Sequence, residues 1–225
     1  MQTSRAVEGV SVFAAVYDLV ARVFLEGPRV LAPEVMPPVD ALLDALGEVD
    51  RVLREDLRTL LRGDPEARQA EFETALLLPV PGRAVPACAS VYLDGGSLYG
   101  RSALKVAELY EREGLAVSGA LGDGQPLPPD HVGCEAAFLA LIESMEDARG
   151  DALRAARLAR EFIANHVLRW LPQFSTALRD AGHLWLRGFA ELFGDLARLD
   201  LARLDRELRR DPHHNGSEGM DRDVP

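Results

Sequence analysis

Cysteine is nearly missing from this sequence: Cys88 and Cys134 are the only two in 225 residues. Two thiols cannot build a disulfide framework, and neither has neighbours at the Cys/His spacing of a zinc site. Both are expected as reduced thiols in a cytoplasmic protein. Basic charge is also short. Lys and Arg number 25 against 36 Asp and Glu, a formal net charge of −11, with a pI near 4.9. Such a balance excludes a sequence-independent hold on nucleic acid, which needs clustered cations. An acidic surface suits a basic partner, and equally serves solubility alone.

Long apolar runs are absent too. The amino-terminal stretch carries an arginine but no uninterrupted hydrophobic segment of signal type before Asp18. No later run reaches the roughly 18 apolar residues of a spanning helix. A soluble, unexported protein without stable membrane insertion is expected. Alternating β-branched runs are missing as well, so nothing reads as a set of strands.

What is present is helical spacing almost throughout, which predicts an all-α multi-helix bundle. Val12, Phe13, Val16, Tyr17, Val20 and Phe24 form one stripe, ended by Gly27-Pro28. A second helix is expected from Pro38 to Gly63. Asp64-Pro65-Glu66 supplies a cap, a first-turn proline and an acidic first turn for a third, reaching about Leu78. Residues 79–100 are rich in Pro and Gly and read as an ordered loop. Ser102 to Glu113 returns to helix, with Leu104, Ala107, Leu109 and Tyr110 inward.

The segment SGALGDGQPLPPD, residues 118–130, has the composition of a hinge. It divides the chain into a helical half at 1–117 and another at 131–208, within one structural domain overall. A helix entered at Pro129 should run to about Ala148, and Asp151 can cap the next, whose stripe includes Leu153, Phe162, His166 and Trp170. Leu171-Pro172 must end or kink it. The segment 209–225 lacks apolar content and reads as a disordered tail.

Motifs for catalysis are scarce. His131 and Glu135 stand at i,i+4 and Asp130 precedes them, so a small metal-dependent hydrolase using the three is one reading, although two or three such ligands on one turn hold a catalytic metal poorly. His166 on an apolar stripe beside Trp170 suits a hydrogen-bonded core histidine. Asp94-Gly95-Gly96-Ser97 has no Walker lysine and no preceding strand. Cys134 near His131 lacks an orienting third group, and a buried inert thiol is expected. Binding fits this inventory better than turnover.

Four motifs then combine. They are Ser90-Val91-Tyr92-Leu93-Asp94-Gly95, Leu104 to Tyr110 with Gly114, Pro129-Asp130-His131-Val132-Gly133, and Phe162-x-x-x-His166-x-x-x-Trp170-Leu171-Pro172-x-Phe174. In order and spacing they resemble the TorD/DmsD/NarJ family of cytoplasmic chaperones for molybdenum-cofactor oxidoreductases. Tyr17 and its neighbours resemble that family's first helix.

The resemblance implies an all-helical fold, no catalysis and no cofactor of its own. It also implies binding of the twin-arginine signal peptide of a molybdopterin oxidoreductase catalytic subunit during maturation, by a monomer or domain-swapped homodimer. Carried over residue by residue, the peptide contacts are Tyr92, Leu93, Asp94, Asp130 and His131.

Ligand physics adds Glu135 to a carboxylate rim able to accept forked guanidinium bonds, and Phe138 and Tyr17 to an apolar groove. Asp130 could instead serve only as a helix cap, and His131 could close its turn or tune release by titration. A helical interaction module with no peptide groove is the third possibility. Pro86 is followed by Ala87-Cys88-Ala89, and Leu76 to Pro81 replaces the family's usual turn. Both departures imply a different pocket shape there.

Overall fold

The computed structural model describes residues 11–32, 39–78, 80–118, 126–149 and 152–210. The expected Asp151 cap, most of the hinge and residues 211–225 of the expected tail lie outside them.

Helix α1 (Val12–Glu26) starts where the Ser11 side chain accepts from Phe13 N–H, and stops at Gly27, whose φ of 83° few other residues adopt. A 3₁₀ turn, Pro28–Leu31, follows. The expected second helix is two, α2 (Val39–Val49) and α3 (Arg51–Leu61). The break falls at Asp50, whose carboxylate accepts from Val52 and Leu53 N–H at 2.7 and 3.0 Å. A good N-cap inside an apolar periodicity starts a new helix at no cost to the pattern.

Helix α4 (Pro65–Phe72) is capped by Asp64 and runs on as a π turn, Glu73–Leu77. The expected loop beyond it contains a short helix, α5 (Ala89–Leu93). In α6 (Arg101–Arg112) the buried positions are Ala103, Val106 and Tyr110. Leu104, expected inward, is 60% exposed, because the buried stripe follows small and aromatic residues at i, i+3 and i+7.

Then come α7 (Val132–Arg149) and α8 (Ala152–Phe162). A π turn, Ile163–Val167, leads into α9 (Leu168–Asp180), and α10 (Leu184–Arg210) closes the described chain. Leu153 is 40% exposed rather than part of the stripe. Pro172 lies inside α9. The helix does not end there: α9 continues to Asp180, and the irregularity lies one turn earlier, where the π turn closes at Leu168, the residue whose carbonyl loses the donor that proline lacks. No strand occurs among the described residues, and the fold is all-α.

Helices α1 and α7 make the most extensive pairing, and α10 packs on α9, α8 and α3. One hydrophobic cluster runs through both halves, centred on Tyr17, Trp170, Phe174, Phe189 and Phe193. A polar tie crosses it. Tyr17 OH donates to Asp200 at 3.1 Å, and Arg203 bonds both Asp200, at 2.9 Å, and Glu143 of α7, at 2.5 Å.

The α1–α7 contact depends on Gly133. A Cβ there would lie 2.5 Å from Leu25 Cγ and 3.1 Å from the Ala21 carbonyl oxygen. At Gly194 of α10 it would meet Leu171 Cδ2 at an ordinary 3.5 Å. Gly133→Ala is therefore expected to destabilise by about 1–3 kcal/mol. Gly194→Ala is expected to be neutral or to stabilise by up to about 1 kcal/mol. Urea unfolding of the two variants checks the contrast.

Candidate functional site

Residues 87–89 run alongside the entry to α7. Val132 N–H donates to Ala87 O at 2.8 Å and Ala89 N–H to Asp130 O at 3.0 Å. Cys88 and His131 face each other as an isolated antiparallel bridge. This places the Asp130 carboxylate at the start of α5, where Oδ2 accepts from Ser90 N–H at 2.6 Å. The residue preceding α5, Cys88, gives it no side-chain cap. A carboxylate 40 positions away in sequence fills that role.

Glu135, one turn into α7, has no exposure to water. Its Oε1 lies 2.6 Å from His166 Nε2 and its Oε2 accepts from Trp170 Nε1–H at 3.0 Å. Trp170 stacks on Tyr92, with ring centroids 5.7 Å apart, and Tyr92 OH donates to Pro86 O at 2.8 Å. Burial pushes the Glu135 pKa up, against the pull of His166 and Trp170. Burial pulls the His166 pKa down, but the adjoining Glu135 carboxylate more than offsets it and the net direction is up.

His131 behaves in the opposite way. It is buried, its Nδ1 accepts from Gly133 N–H at 3.2 Å, and burial pushes its pKa down to about 4. Both thiols are buried, and burial pushes Cys134 up to about 12 and Cys88 up as well. Neither is a nucleophile at neutral pH.

The expected peptide contacts thus fall into two layers. Tyr92, Leu93 and Asp94 are half-buried at the end of α5, beside exposed Leu98 and Tyr99. Asp94 is committed to α6, accepting from Ser102 N–H at 2.6 Å and from its hydroxyl at 3.2 Å. Asp130, His131, Glu135, Phe138 and Tyr17 are all interior. An open carboxylate rim of Asp94, Asp130 and Glu135 is therefore not what the fold builds, since two of the three carboxylates face inward. The hydrolase reading fails for the same reason. Among the described residues, no group of three His, Cys, Asp or Glu side chains is arranged for a metal ion.

Open clefts lie elsewhere. One of about 490 Å³, between α3, α9 and α10, has Leu60, Leu168 and Leu171 in its lining with Asp56, Glu191 and Asp195. Burial raises the Asp56 pKa, and the nearby Asp195, Asp50 and Glu191 carboxylates raise it further. Glu191 pairs with Arg187 at 2.8 Å and Asp195 with Arg198. Another cleft, of about 700 Å³, lies between α6 and α8 with His166 in its lining. Asp56 and Asp195 were invisible as a pair because α3 and α10 meet only in the fold.

A family model described as nitrate reductase delta subunit matches residues 35–176. Chaperone protein TorD of Vibrio cholerae serotype O1, in strains O395 and M66-2, is 36% identical over 90 residues, covering 39% of this chain and 39% of that protein. The chain thus matches about two fifths of the length of these curated relatives. A chain described as a redox enzyme maturation protein from Archaeoglobus fulgidus superposes with a TM-score of 0.47 at 20% identity, over 90% of this chain and 99% of that one.

The depressed pKa of His131 carries a pH signature. Its folded pKa of about 4 lies below the ordinary 6.5, so the unfolded chain takes up this proton first. The stability is intact above pH 6.5 and drains away as pH falls towards 4, by up to roughly 3 kcal/mol. Urea unfolding at pH 7 and pH 4.5 should show that loss in the wild type and a smaller one in His131→Gln. Equal losses in the two would refute the assignment.

Proposed function

We propose that this chain, which belongs to the nitrate reductase delta subunit family, is a cytoplasmic maturation chaperone for a molybdopterin-containing oxidoreductase. It holds the client by its twin-arginine signal peptide while the cofactor is inserted, before export. The family membership and the curated relatives named chaperones support a maturation role rather than turnover. The observation that carries the peptide reading is the cleft between α3, α9 and α10, lined by Leu60, Leu168 and Leu171 and by three carboxylates, Asp56, Glu191 and Asp195, beside Arg179, Arg187 and Arg198.

A leader with paired arginines before an apolar stretch requires that combination. Asp56 has no partner among the described residues and sits among like charges, so a guanidinium arriving there relieves repulsion. Glu191 and Asp195 are held by intrahelical pairs worth only a few tenths of a kcal/mol each. A forked arginine can displace them. Asp130, His131 and Glu135 support the fold from within on this reading.

The half-exposed end of α5 favours a second reading, in which Tyr92, Leu93 and Asp94 with exposed Leu98 and Tyr99 hold the leader directly.

Calorimetric titration with a synthetic twin-arginine leader separates these possibilities. Binding in the micromolar range is expected, weakened about tenfold when both arginines become lysines, which cannot fork. Asp56→Asn with Asp195→Asn should weaken it by a similar factor. Retained binding in that double variant, with loss in Leu93→Ala, moves the site to the α5 face. No heat at high micromolar peptide overturns the leader reading altogether.

A further inference from the structure

The cleft between α6 and α8 differs in charge from the rest of an acidic molecule. Lys105, the single lysine of the chain, and Arg169 both face it. Neither side chain has an ion-pair or hydrogen-bond partner among the described residues. His166 lies in its lining, its ring stacked on Phe162 at 5.2 Å and 21°. From behind, the fully buried Glu135 takes Nε2 at 2.6 Å. The remaining nitrogen, Nδ1, bonds no described residue. The histidine sits on a π turn, Ile163–Val167, a distortion that recurs at functional sites.

We propose that this cleft is an oxyanion site, where a carboxylate or phosphate group accepts from His166 Nδ1–H while Lys105 and Arg169 supply the counter-charge. Val106, Leu109 and Leu158 line the walls, so the group arrives on a molecule with an apolar carbon skeleton. The inference stands apart from the leader reading, which concerns the opposite sign of charge and a different face.

Protonation decides occupancy. With Nε2–H given to Glu135, a neutral imidazole presents a lone pair at Nδ1 and repels an anion. The imidazolium donates from both nitrogens. Glu135 and Asp130 favour that form, and Arg169 opposes it. From α6, Lys105 and Arg112 oppose it and Glu108 favours it, as does Glu161 of α8. An arriving anion tips the balance further towards the charged ring.

A carboxylate-backed histidine is also a common metal ligand. Here the cleft lining carries three cations, Lys105, Arg112 and Arg169, against two carboxylates, Glu108 and Glu161, and among the described residues no three-ligand group exists.

The test is nitrogen-detected NMR of the histidine rings in the full chain, titrated with sodium acetate, sodium sulfate and, at matched ionic strength, sodium chloride. Neither acetate nor sulfate titrates between pH 6 and 8. A saturable shift of the His166 nitrogens is expected at pH 6, absent with chloride. Affinity should fall about tenfold per pH unit above the His166 pKa. Lys105→Gln with Arg169→Gln, both surface changes that spare the Glu135 bond, should weaken binding at least tenfold. Preference for acetate assigns a carboxylate ligand, and preference for sulfate a phosphate. Identical spectra in all three salts, or a double variant that binds like the wild type, overturns the site.

Discussion

The rest of this fold hangs on a carboxylate that never meets water. Glu135 costs several kcal/mol to bury as an ion, and it is held because α9 and the π turn each supply a donor, Trp170 and His166. Those two bonds set the rotation of α9 against α7. With Trp170 fixed, Tyr92 has a flat surface to stack on, and the short helix α5 acquires a place to sit. A second buried carboxylate, Asp130, then closes the amino end of that helix. Two interior acids on adjacent turns of the chain thus dock residues 86–94 onto the back half.

That docking explains why the most recognisable residues are not the open ones. Asp, His, Glu and Trp at fixed spacing look like a binding surface when read along the chain. In three dimensions Asp130 Oδ2, His131 Nδ1, both Glu135 oxygens and Trp170 Nε1 bond one another, His166 or backbone. Burying a charge demands specific partners at specific distances, so such a network leaves a sharper pattern than a solvent-facing rim does. A rim tolerates any carboxylate within reach of a guanidinium. The cleft of α3, α9 and α10 brings Asp56, Glu191 and Asp195 together with Arg179, Arg187 and Arg198, and no local signal announces it.

Legibility followed the same division. The all-α class, the ends of α1 and the cap of α4 could be read because apolar period, Gly27 and Asp64-Pro65 are local signals. Asp50 lies inside an unbroken apolar periodicity, which conceals the helix boundary it makes. Helix α5 could not be read because its cap comes from Asp130, far along the chain. The phase of α6 at Leu104 is not legible along the chain, since several small residues share the helix and only packing decides which of them turn inward.

The π turn shows how one irregular element can serve packing and site together. Pro172 withdraws the donor that would have met Leu168 O, and Leu168, with ψ of −8°, is where the wide turn closes. One extra residue in a turn rotates everything before it by about 100° relative to a regular helix. Without that offset, Phe162 and Trp170 would not both face the core while His166 stays at its edge, 14% exposed along its side chain. The offset leaves the imidazole with one nitrogen on a buried carboxylate and its ring in the lining of the cleft that Lys105 and Arg169 share. A histidine fully inside would behave like His131, neutral down to about pH 4, and one fully outside would lose Glu135 as its partner. Only the intermediate position lets the interior acid reach a ligand through the ring.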